Sequence, residues 1–228
     1  MQFPPILVIN LKERTDRWNQ ISSHLDSLGL SYERVDAVKI EPGWKGASAS
    51  FKKCYELAKK RKYPWVVIME DDCVFQKDGK ERFEQLLPLL WQRRLEWDVF
   101  NGGSVHVTKA CRILEKPPLF EVKSWSAHFI LAHANSYDKL ISMIEKGHCP
   151  DCFMRVGLRS WATYPHIAIQ QKGYSSINKI MKDTRKNFRI TDKILSKILH
   201  MRKRCSTRKQ VKRIANAEKK RNREKDFS

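Results

Sequence analysis

Short apolar runs alternate with amphipathic stretches along most of the chain. The first run, residues 6–11, is typical of a strand covered on both faces. A helix follows, which Thr15 can cap and Gly29 can end. A strand followed by a helix is the unit of an α/β sheet. Further strands are predicted at the remaining short apolar runs, which are residues 32–35, 64–69, 97–100, 119–122, 127–132 and 161–170.

Helical spacing recurs between these runs. Residues 51–58, 83–90 and 137–144 place their apolar side chains on one face, as helices docked on a sheet do. Residues 43–46 contain two glycines and indicate a turn, after which Ser48 or Ser50 caps the next helix. The alternation predicts an α/β fold with a mainly parallel sheet flanked by helices.

Three consecutive carboxylates, Glu70, Asp71 and Asp72, follow the most apolar run. On a strand, residues two apart project to one face roughly 7 Å apart, so Glu70 and Asp72 are expected to point together. At an effective dielectric of about 20 their repulsion is on the order of 2 kcal/mol, which a bound cation relieves. Oxygen ligands of this kind suit Mg²⁺ or Mn²⁺. An acidic strand exit that faces water explains the triplet equally well at this stage.

The segment after the first strand is also polar and charged. Arg14 and Arg17 lie at the carboxyl end of that strand, where open α/β sheets bind their ligands. They are therefore candidates for contact with a pyrophosphate or a base. As the alternative, they are solvated charges in the first turn of a helix.

The charge is concentrated near the carboxyl terminus. The chain has 228 residues and a net charge of +20, and residues 182–228 contribute 18 Lys or Arg against 5 Asp or Glu, or +13. We therefore expect one domain over residues 1–181 and a basic, helical or partly disordered tail over 182–228. An apolar face that includes Ile190, Ile194 and Ile198 either docks this tail on the domain or rests on an anionic membrane, with contact through residues 188–225.

A basic chain of this kind attracts polyanions in general. No nucleic-acid recognition fold or zinc finger is legible, so the charge supports only non-specific contact with nucleic acid. A non-catalytic protein that binds nucleic acid or an anionic membrane through its tail is the alternative function. Six scattered cysteines, with no secretory signal or membrane span, indicate a cytoplasmic protein with free thiols, either soluble or peripheral to a membrane. The pair Cys149 and Cys152 alone is too small a set for zinc.

Taken in order, these segments resemble glycosyltransferase family 25, the family of lipopolysaccharide glycosyltransferases and collagen galactosyltransferases. Residues 8–11, with the arginines that follow, match its opening Val-Ile-Asn-Leu segment and basic stretch. Residues 43–51 align with its Gly-x-x-Gly-Cys-x-x-Ser-His segment, but Ala47 and Phe51 replace the Cys and the His. The acidic triplet matches its Glu-Asp-Asp.

The later segments extend the resemblance over residues 4–178. Residues 97–103 resemble the family's strand-to-glycine segment, and residues 150–154 resemble its Pro-Val-Asp-x-Phe-Leu with one residue fewer. Residues 164–177 resemble the closing Pro…Gln…Ser-Asp-Ile segment, with Ser176 in place of the Asp. These departures leave open a catalytically idle relative.

The resemblance implies a GT-A architecture and a transferase that moves a hexose from a UDP-sugar to a hydroxyl of a glycan or protein acceptor, by direct displacement with inversion, with Mn²⁺ or Mg²⁺. It implies Asp72, Glu70 and His166 as metal ligands, Asp71 as a group that orients the donor, and Asp151 as the catalytic base. Structural roles explain His166 and Asp151 about as well. The donor-binding residues that it implies are Asn10, Leu11, Arg14, Arg17, Gly46 and Ser50. Trp44, Trp125 and Trp161 can either stack on a sugar ring or pack in a core.

Overall fold

The structure is a computed structural model that describes residues 2–153, 157–176 and 179–226. Its helices lie mostly between strands, as the sequence predicts. In chain order the helices are α1 (Thr15–Ser27), α2 (Gly43–Lys60), α3 (Gly79–Gln92), α4 (Ala134–Glu145), α5 (Pro150–Phe153), α6 (Arg185–Leu199) and α7 (Arg208–Asp226), with a 3₁₀ turn at Arg94–Glu96.

The strands form one large sheet and two small ones. In chain order they are β1 (Ile6–Asn10), β2 (Tyr32–Asp36), β3 (Trp65–Glu70), β4 (Cys73–Phe75), β5 (Val99–Asn101), β6 (Val105–Leu114), β7 (Leu119–Trp125), β8 (Phe129–His133), β9 (Ser160–Thr163), β10 (Ala168–Gln170), β11 (Gly173–Ser175) and β12 (Ile180–Lys182). The eight-stranded sheet has the order β2-β1-β3-β8-β5-β9-β7-β6, while β10 pairs with β4 and β11 with β12.

Most of the large sheet runs in one direction. β2, β1 and β3 are parallel, β8 lies antiparallel between β3 and β5, and β9 is parallel to β5. The hairpin of β6 and β7 completes the far edge. The predicted α/β class, with a mainly parallel sheet flanked by helices, is confirmed.

Helices cover both faces of this sheet. The even-numbered residues Ile6 and Val8 of β1 pack with the buried faces of α1 and α3, whereas Leu7 and Ile9 pack with α2 and α4. Because side chains alternate along a strand, a strand buried on both faces must be apolar throughout. The continuous apolar runs in the sequence result from this burial of both strand faces.

The direction of chain progression reverses at β1. The chain passes from β1 to β2 on one side and then returns to place β3 on the other side. In open α/β sheets the crevice outside the carboxyl ends of the strands at such a point is where ligands bind. The end of β3 and the loop after β1 therefore meet where a ligand site is expected.

The predicted start of α2 is wrong. The helix begins at Gly43, so the expected turn and both candidate capping serines lie inside it. A Cβ on Gly46 would lie 2.5 Å from the carbonyl oxygen of Val38, so glycine is needed there for close packing and does not mark a turn. The predicted Thr15 cap is also displaced by one residue, because the cap position is Arg14.

The basic carboxyl-terminal segment is helical and docked. α6 buries Ile190, Ile194 and Ile198 in a cluster with β6, β7 and β9, and α7 adds the buried Val211. The apolar face that was a candidate for membrane contact is therefore covered by the sheet. No helix in the described part of the chain is long and apolar enough to cross a membrane.

Four cysteines are paired, in contrast to the expected free thiols. Disulfides join Cys111 to Cys205 and Cys149 to Cys152. The first pair ties β6 to the segment between α6 and α7, where the two backbones also form a β-bridge. These contacts join positions 94 residues apart, which explains why the sequence pattern did not predict the pairing.

Candidate functional site

The acidic triplet lies where β3 ends beside the end of β1. Glu70 is the last residue of β3, and Asp71 and Asp72 form the turn into β4. The side-chain amide nitrogen of Gln170 lies 3.1 Å from Glu70 Oε2 and 3.3 Å from Asp72 Oδ1, so one amide group donates to both carboxylates. The prediction that Glu70 and Asp72 point to the same side is confirmed.

Asp71 points toward the first strand. Its Oδ2 accepts a hydrogen bond of 2.7 Å from the buried amide of Asn10, and its Oδ1 lies 2.7 Å from a guanidinium nitrogen of Arg17. Asn10 is fixed in turn by Arg34, which donates to Asn10 Oδ1 at 2.6 Å. Both oxygens of Asp71 are thus occupied by neighbouring side chains.

Arg17 is the cation of the site. The same nitrogen that contacts Asp71 lies 3.1 Å from Asp72 Oδ2, and the other terminal nitrogen donates to the carbonyl of Tyr174 at 2.7 Å. The side chain is only 12% exposed. The interpretation of Arg17 as a solvated surface charge is therefore wrong, because it holds two carboxylates and a late strand of the chain together.

Arg14 makes a second connection to that strand. It donates to the hydroxyl of Ser176 at 2.9 Å and to the carbonyl of Tyr174 at 3.3 Å, and it also pairs with Asp16. Ser176 stands where the resembled family has an Asp. The serine accepts a hydrogen bond from Arg14 without adding a charge.

The carboxylates are held in an environment that disfavours their charge. Burial, followed by the charges of Asp72, Asp151 and Asp71, raises the pKa of Glu70 well above its ordinary value. Burial also raises the pKa of Asp72, although Arg17 opposes the shift. Three carboxyl groups thus act on Glu70, and the guanidinium of Arg17 opposes them.

The donor set has the chemistry of a site for a hard divalent cation. Glu70 and Asp72 are half-buried, and 16% of the Asp72 side chain is exposed, so the pair is not wholly enclosed by the protein. In the described part of the chain no group of three or more His, Cys, Asp or Glu side chains is arranged to hold a metal. Mg²⁺ and Mn²⁺ commonly take one or two protein carboxylates and complete their shell with phosphates and water. The pair Glu70 and Asp72 fits that pattern.

Two further candidate residues lie at the same end of the sheet. Asp151 is in the first turn of α5, close enough to Glu70 for its charge to raise the pKa of that group. The carbonyl of Leu11 accepts a hydrogen bond of 2.9 Å from the backbone nitrogen of Arg14 and so closes the turn after β1. Asp151 thus adds its charge to the carboxylate cluster, whereas Leu11 shapes the turn that leads to Arg14 and α1.

Gly46 and Ser50 occupy a different place. The hydroxyl of Ser50 donates to the carbonyl of Gly46 at 2.8 Å and accepts from the backbone nitrogen of Val38 at 2.8 Å. Together they clamp the segment after β2 onto α2. In the structure, their contacts are with this segment and not with the triplet.

His166 lies beside α6. Its ring packs against Phe188, and its Nε2 is 3.7 Å from a carboxylate oxygen of Asp192. Burial and the neighbouring Arg82 lower the pKa of His166 to about 3. His166 therefore lies in the core beside β10 and α6. The structure does not bring it together with Glu70 and Asp72, so its predicted role as a metal ligand is not supported by its position.

The sequence analysis did not single out Gln170 and Arg34. Gln170 lies in the segment that resembles the family's closing Pro…Gln motif, so a signal for it was present. Arg34 carried no such signal, because its contact with Asn10 depends on the pairing of β1 with β2.

The fold and site together define an α/β protein with an acidic, arginine-bridged crevice at the carboxyl ends of its parallel strands. No protein-family model and no curated protein matches the chain. Membership in family 25 therefore remains a prediction.

Solved structures resemble the chain only weakly. A197 from STIV is 10% identical with a TM-score of 0.48, over 78% of this chain and 93% of that one. A glycosyltransferase involved in the glycosylation of the major capsid of PBCV-1 is 10% identical with a TM-score of 0.38, over 61% and 65%. Mannose-1-phosphate geranyltransferase from Thermus thermophilus is 6% identical with a TM-score of 0.40, over 72% and 74%. Likenesses at this level carry no inference about activity.

Proposed function

We propose that this chain is a glycosyltransferase of GT-A architecture that moves a hexose from a UDP-sugar to a hydroxyl of a glycan or protein acceptor. The proposal rests on the site and on the resemblance of its motifs to family 25. One observation supports it above the others. Glu70 and Asp72 stand side by side at the reversal point of the sheet, share the amide of Gln170, and have raised pKa values.

Carboxylates with raised pKa values bind a cation strongly for a physical reason. A divalent ion between them attracts both carboxylates, which outweighs their mutual repulsion and stabilises their ionised form. In the proposal, Asp72 and Glu70 hold Mn²⁺ or Mg²⁺. When bound, this ion supplies positive charge to the diphosphate of the sugar donor, where negative charge develops as the glycosidic bond breaks.

The arginines and Asp71 position the donor in this proposal. Arg14 caps α1 and Arg17 lies in its first turn, where both would meet the diphosphate of the donor, and their guanidinium groups suit phosphate oxygens. Asp71 is held by Asn10 and Arg17, so its role is to fix the arginine and the end of β1. In the proposal, Gly46 and Ser50 do not contact the donor, and their role is to hold the segment after β2 in place.

Asp151 is the proposed base. Its charge helps to raise the pKa of Glu70, which supports a place for it close to the carboxylates. The acceptor hydroxyl oxygen would attack the anomeric carbon while the bond to UDP breaks, and Asp151 would take the hydroxyl proton. UDP leaves with the electron pair of the broken bond, and attack from the face opposite UDP gives inversion at the anomeric carbon.

The test combines a binding assay with a turnover assay. Thermal unfolding is measured with a panel of UDP-sugars, with Mn²⁺ or with EDTA, and UDP release is measured in parallel. Ligand at about a hundred times its dissociation constant should add about 2.7 kcal/mol to the free energy of unfolding. Asp72→Asn should remove both the Mn²⁺-dependent stabilisation and UDP release.

A matched control uses an exposed carboxylate. Asp138→Asn changes a side chain that is 76% exposed and pairs with Lys59 across the surface, so it should leave binding and turnover unchanged. UDP release that survives both EDTA and Asp72→Asn would contradict the proposal. So would the absence of any stabilisation by the whole panel.

A further inference from the structure

Exposed apolar side chains are concentrated beside the candidate site. Among the described side chains, six large apolar ones are clearly exposed, and five of them lie in two short segments. We call these five the apolar rim, and they are Ile40, Trp44, Tyr174, Ile180 and Met181. Exposed apolar groups gathered in one place mark an interaction surface more often than isolated ones do.

Ion pairs and hydrogen bonds hold the two segments of the rim together. Lys179 lies 3.2 Å from Glu41, which joins the β11–β12 ribbon to the start of α2. Arg17 donates to the carbonyl of Tyr174, while Lys39 pairs with Glu13 in the loop after β1. The apolar rim therefore borders the loop that carries the site's arginines.

The geometry of the ribbon distinguishes between partners. Tyr174 is opposite Met181 and Ser175 is opposite Ile180, so Ile180 projects from one face and Tyr174 and Met181 from the other. In the described chain β11 and β12 pair only with each other. A rigid protein surface can cover one face of such a ribbon, whereas a fluid interface that surrounds the ribbon covers both.

The chemistry of the rim matches a lipid interface. Trp and Tyr favour the boundary between hydrocarbon and water, and Ile and Met favour the hydrocarbon beside it. Lys45 lies 5.8 Å from the ring centre of Trp44, and Lys172 and Lys179 are exposed on the ribbon. Lysines at such positions are attracted to anionic headgroups.

We propose that the apolar rim docks on the surface of an anionic lipid bilayer, with the ribbon and the start of α2 inserted at headgroup depth. The docking surface is thus not the face of α6 considered from sequence, which the sheet covers. Docking does not depend on the proposed transfer reaction. If both hold, the crevice opens next to the membrane, where lipid-linked or membrane-anchored acceptors are presented.

The test measures flotation of the full chain with vesicles of equimolar phosphatidylcholine and phosphatidylserine. Because interfacial binding scales with buried apolar area, the affinity of the double variant Ile180→Glu/Met181→Glu for the vesicles should be at least about tenfold lower than that of the wild type. Leu95→Glu changes the sixth exposed apolar side chain, which is 64% exposed and outside the rim, and should stay within about twofold of wild type. Ile40→Glu tests the other segment, in case the double variant alters the ribbon.

A second measurement reports insertion directly. Lipids brominated near the headgroup should quench part of the tryptophan fluorescence of the wild type, and Trp44→Phe should remove most of that quenching. Equal losses of binding in the rim variant and in Leu95→Glu would overturn the proposal, because charge alone would then drive binding. A concentration-dependent dimer that the rim variants abolish would overturn it too, with a second copy as the occupant. Either failure leaves UDP release in solution unaffected.

Discussion

Glu70→Gln offers the sharpest test of the electrostatics of the crevice. In the wild type, Glu70 Oε2 and Asp72 Oδ1 lie 3.1 and 3.3 Å from the same amide nitrogen of Gln170. The two oxygens are therefore on the order of 6 Å apart or closer, which at an effective dielectric of about 20 corresponds to a repulsion of roughly 2–3 kcal/mol. Glutamine keeps the size of the side chain and an oxygen that can accept from Gln170. Without metal, the variant should therefore be more stable than the wild type by about 1–2 kcal/mol at neutral pH.

The pH dependence gives the sign of the effect. The folded state holds the pKa of Glu70 above its unfolded value, so the unfolded chain releases this proton first as the pH rises. The wild type consequently loses stability as the pH rises from the ordinary glutamate range toward the raised pKa. The advantage of Glu70→Gln should appear over that interval and vanish below it.

The assay is thermal and urea unfolding in EDTA and in Mn²⁺ across this pH range. In EDTA at neutral pH the midpoint temperature of the variant should be higher by roughly 2–8 °C, whereas Mn²⁺ should stabilise only the wild type. Glu84→Gln is the control, since it alters an exposed pair with Lys80 and should change stability by less than about 0.5 kcal/mol. A Glu70→Gln variant that is less stable than the wild type at neutral pH in EDTA would refute the reasoning.

Three further predictions concern the contacts around the site and the carboxyl-terminal segment. Arg17→Met leaves two partly buried carboxylates unpaired and should cost about 3 kcal/mol in urea unfolding at neutral pH; a cost below about 0.5 kcal/mol would contradict the bridging role. Cys205→Ser opens a disulfide between positions 94 residues apart and should lower stability by about 2–5 kcal/mol; reduction should destabilise the wild type by about that much more than the variant, which keeps only the short Cys149–Cys152 loop. Ile194→Ala removes a side chain that is 2% exposed between α6 and the sheet and should cost about 2–5 kcal/mol by the same assay; a nearly neutral result would mean that α6 does not complete the core.

Local pattern predicted the parts of the fold in which neighbouring residues share one environment. The runs that became β1 and β3 are apolar because both of their faces are covered, and the abrupt change at Glu70 marks the end of β3. The common direction of Glu70 and Asp72 was expected from the strand period, although in the structure β3 ends at Glu70 and the turn that follows brings Asp72 to the same amide. These inferences need no knowledge of what lies across the sheet.

The remainder depended on distant partners. Gly46 was taken for part of a turn because its close contact with the Val38 carbonyl is not visible from propensity. β6 was not predicted, since its Arg112 and Cys111 owe their places to the segment after α6, which lies 94 residues away in sequence at the disulfide. Gln170 acts on a carboxylate 100 residues before it. Each case is a contact that propensity and periodicity do not encode.

The change in composition near residue 182 did not mark the end of the packed fold. Net charge is a property of exposed side chains, whereas membership of a core depends on the buried ones. In α6 both kinds of side chain occur on one helix: Ile194 and Ile198 are buried against the sheet, while Lys193 and other cations are exposed. Removing residues 182–228 to test for electrostatic binding would thus also uncover the apolar cluster that α6 shares with β6 and β7. Loss of ligand after such a truncation would report the loss of core packing as much as the loss of charge, so only charge changes on exposed faces separate the two.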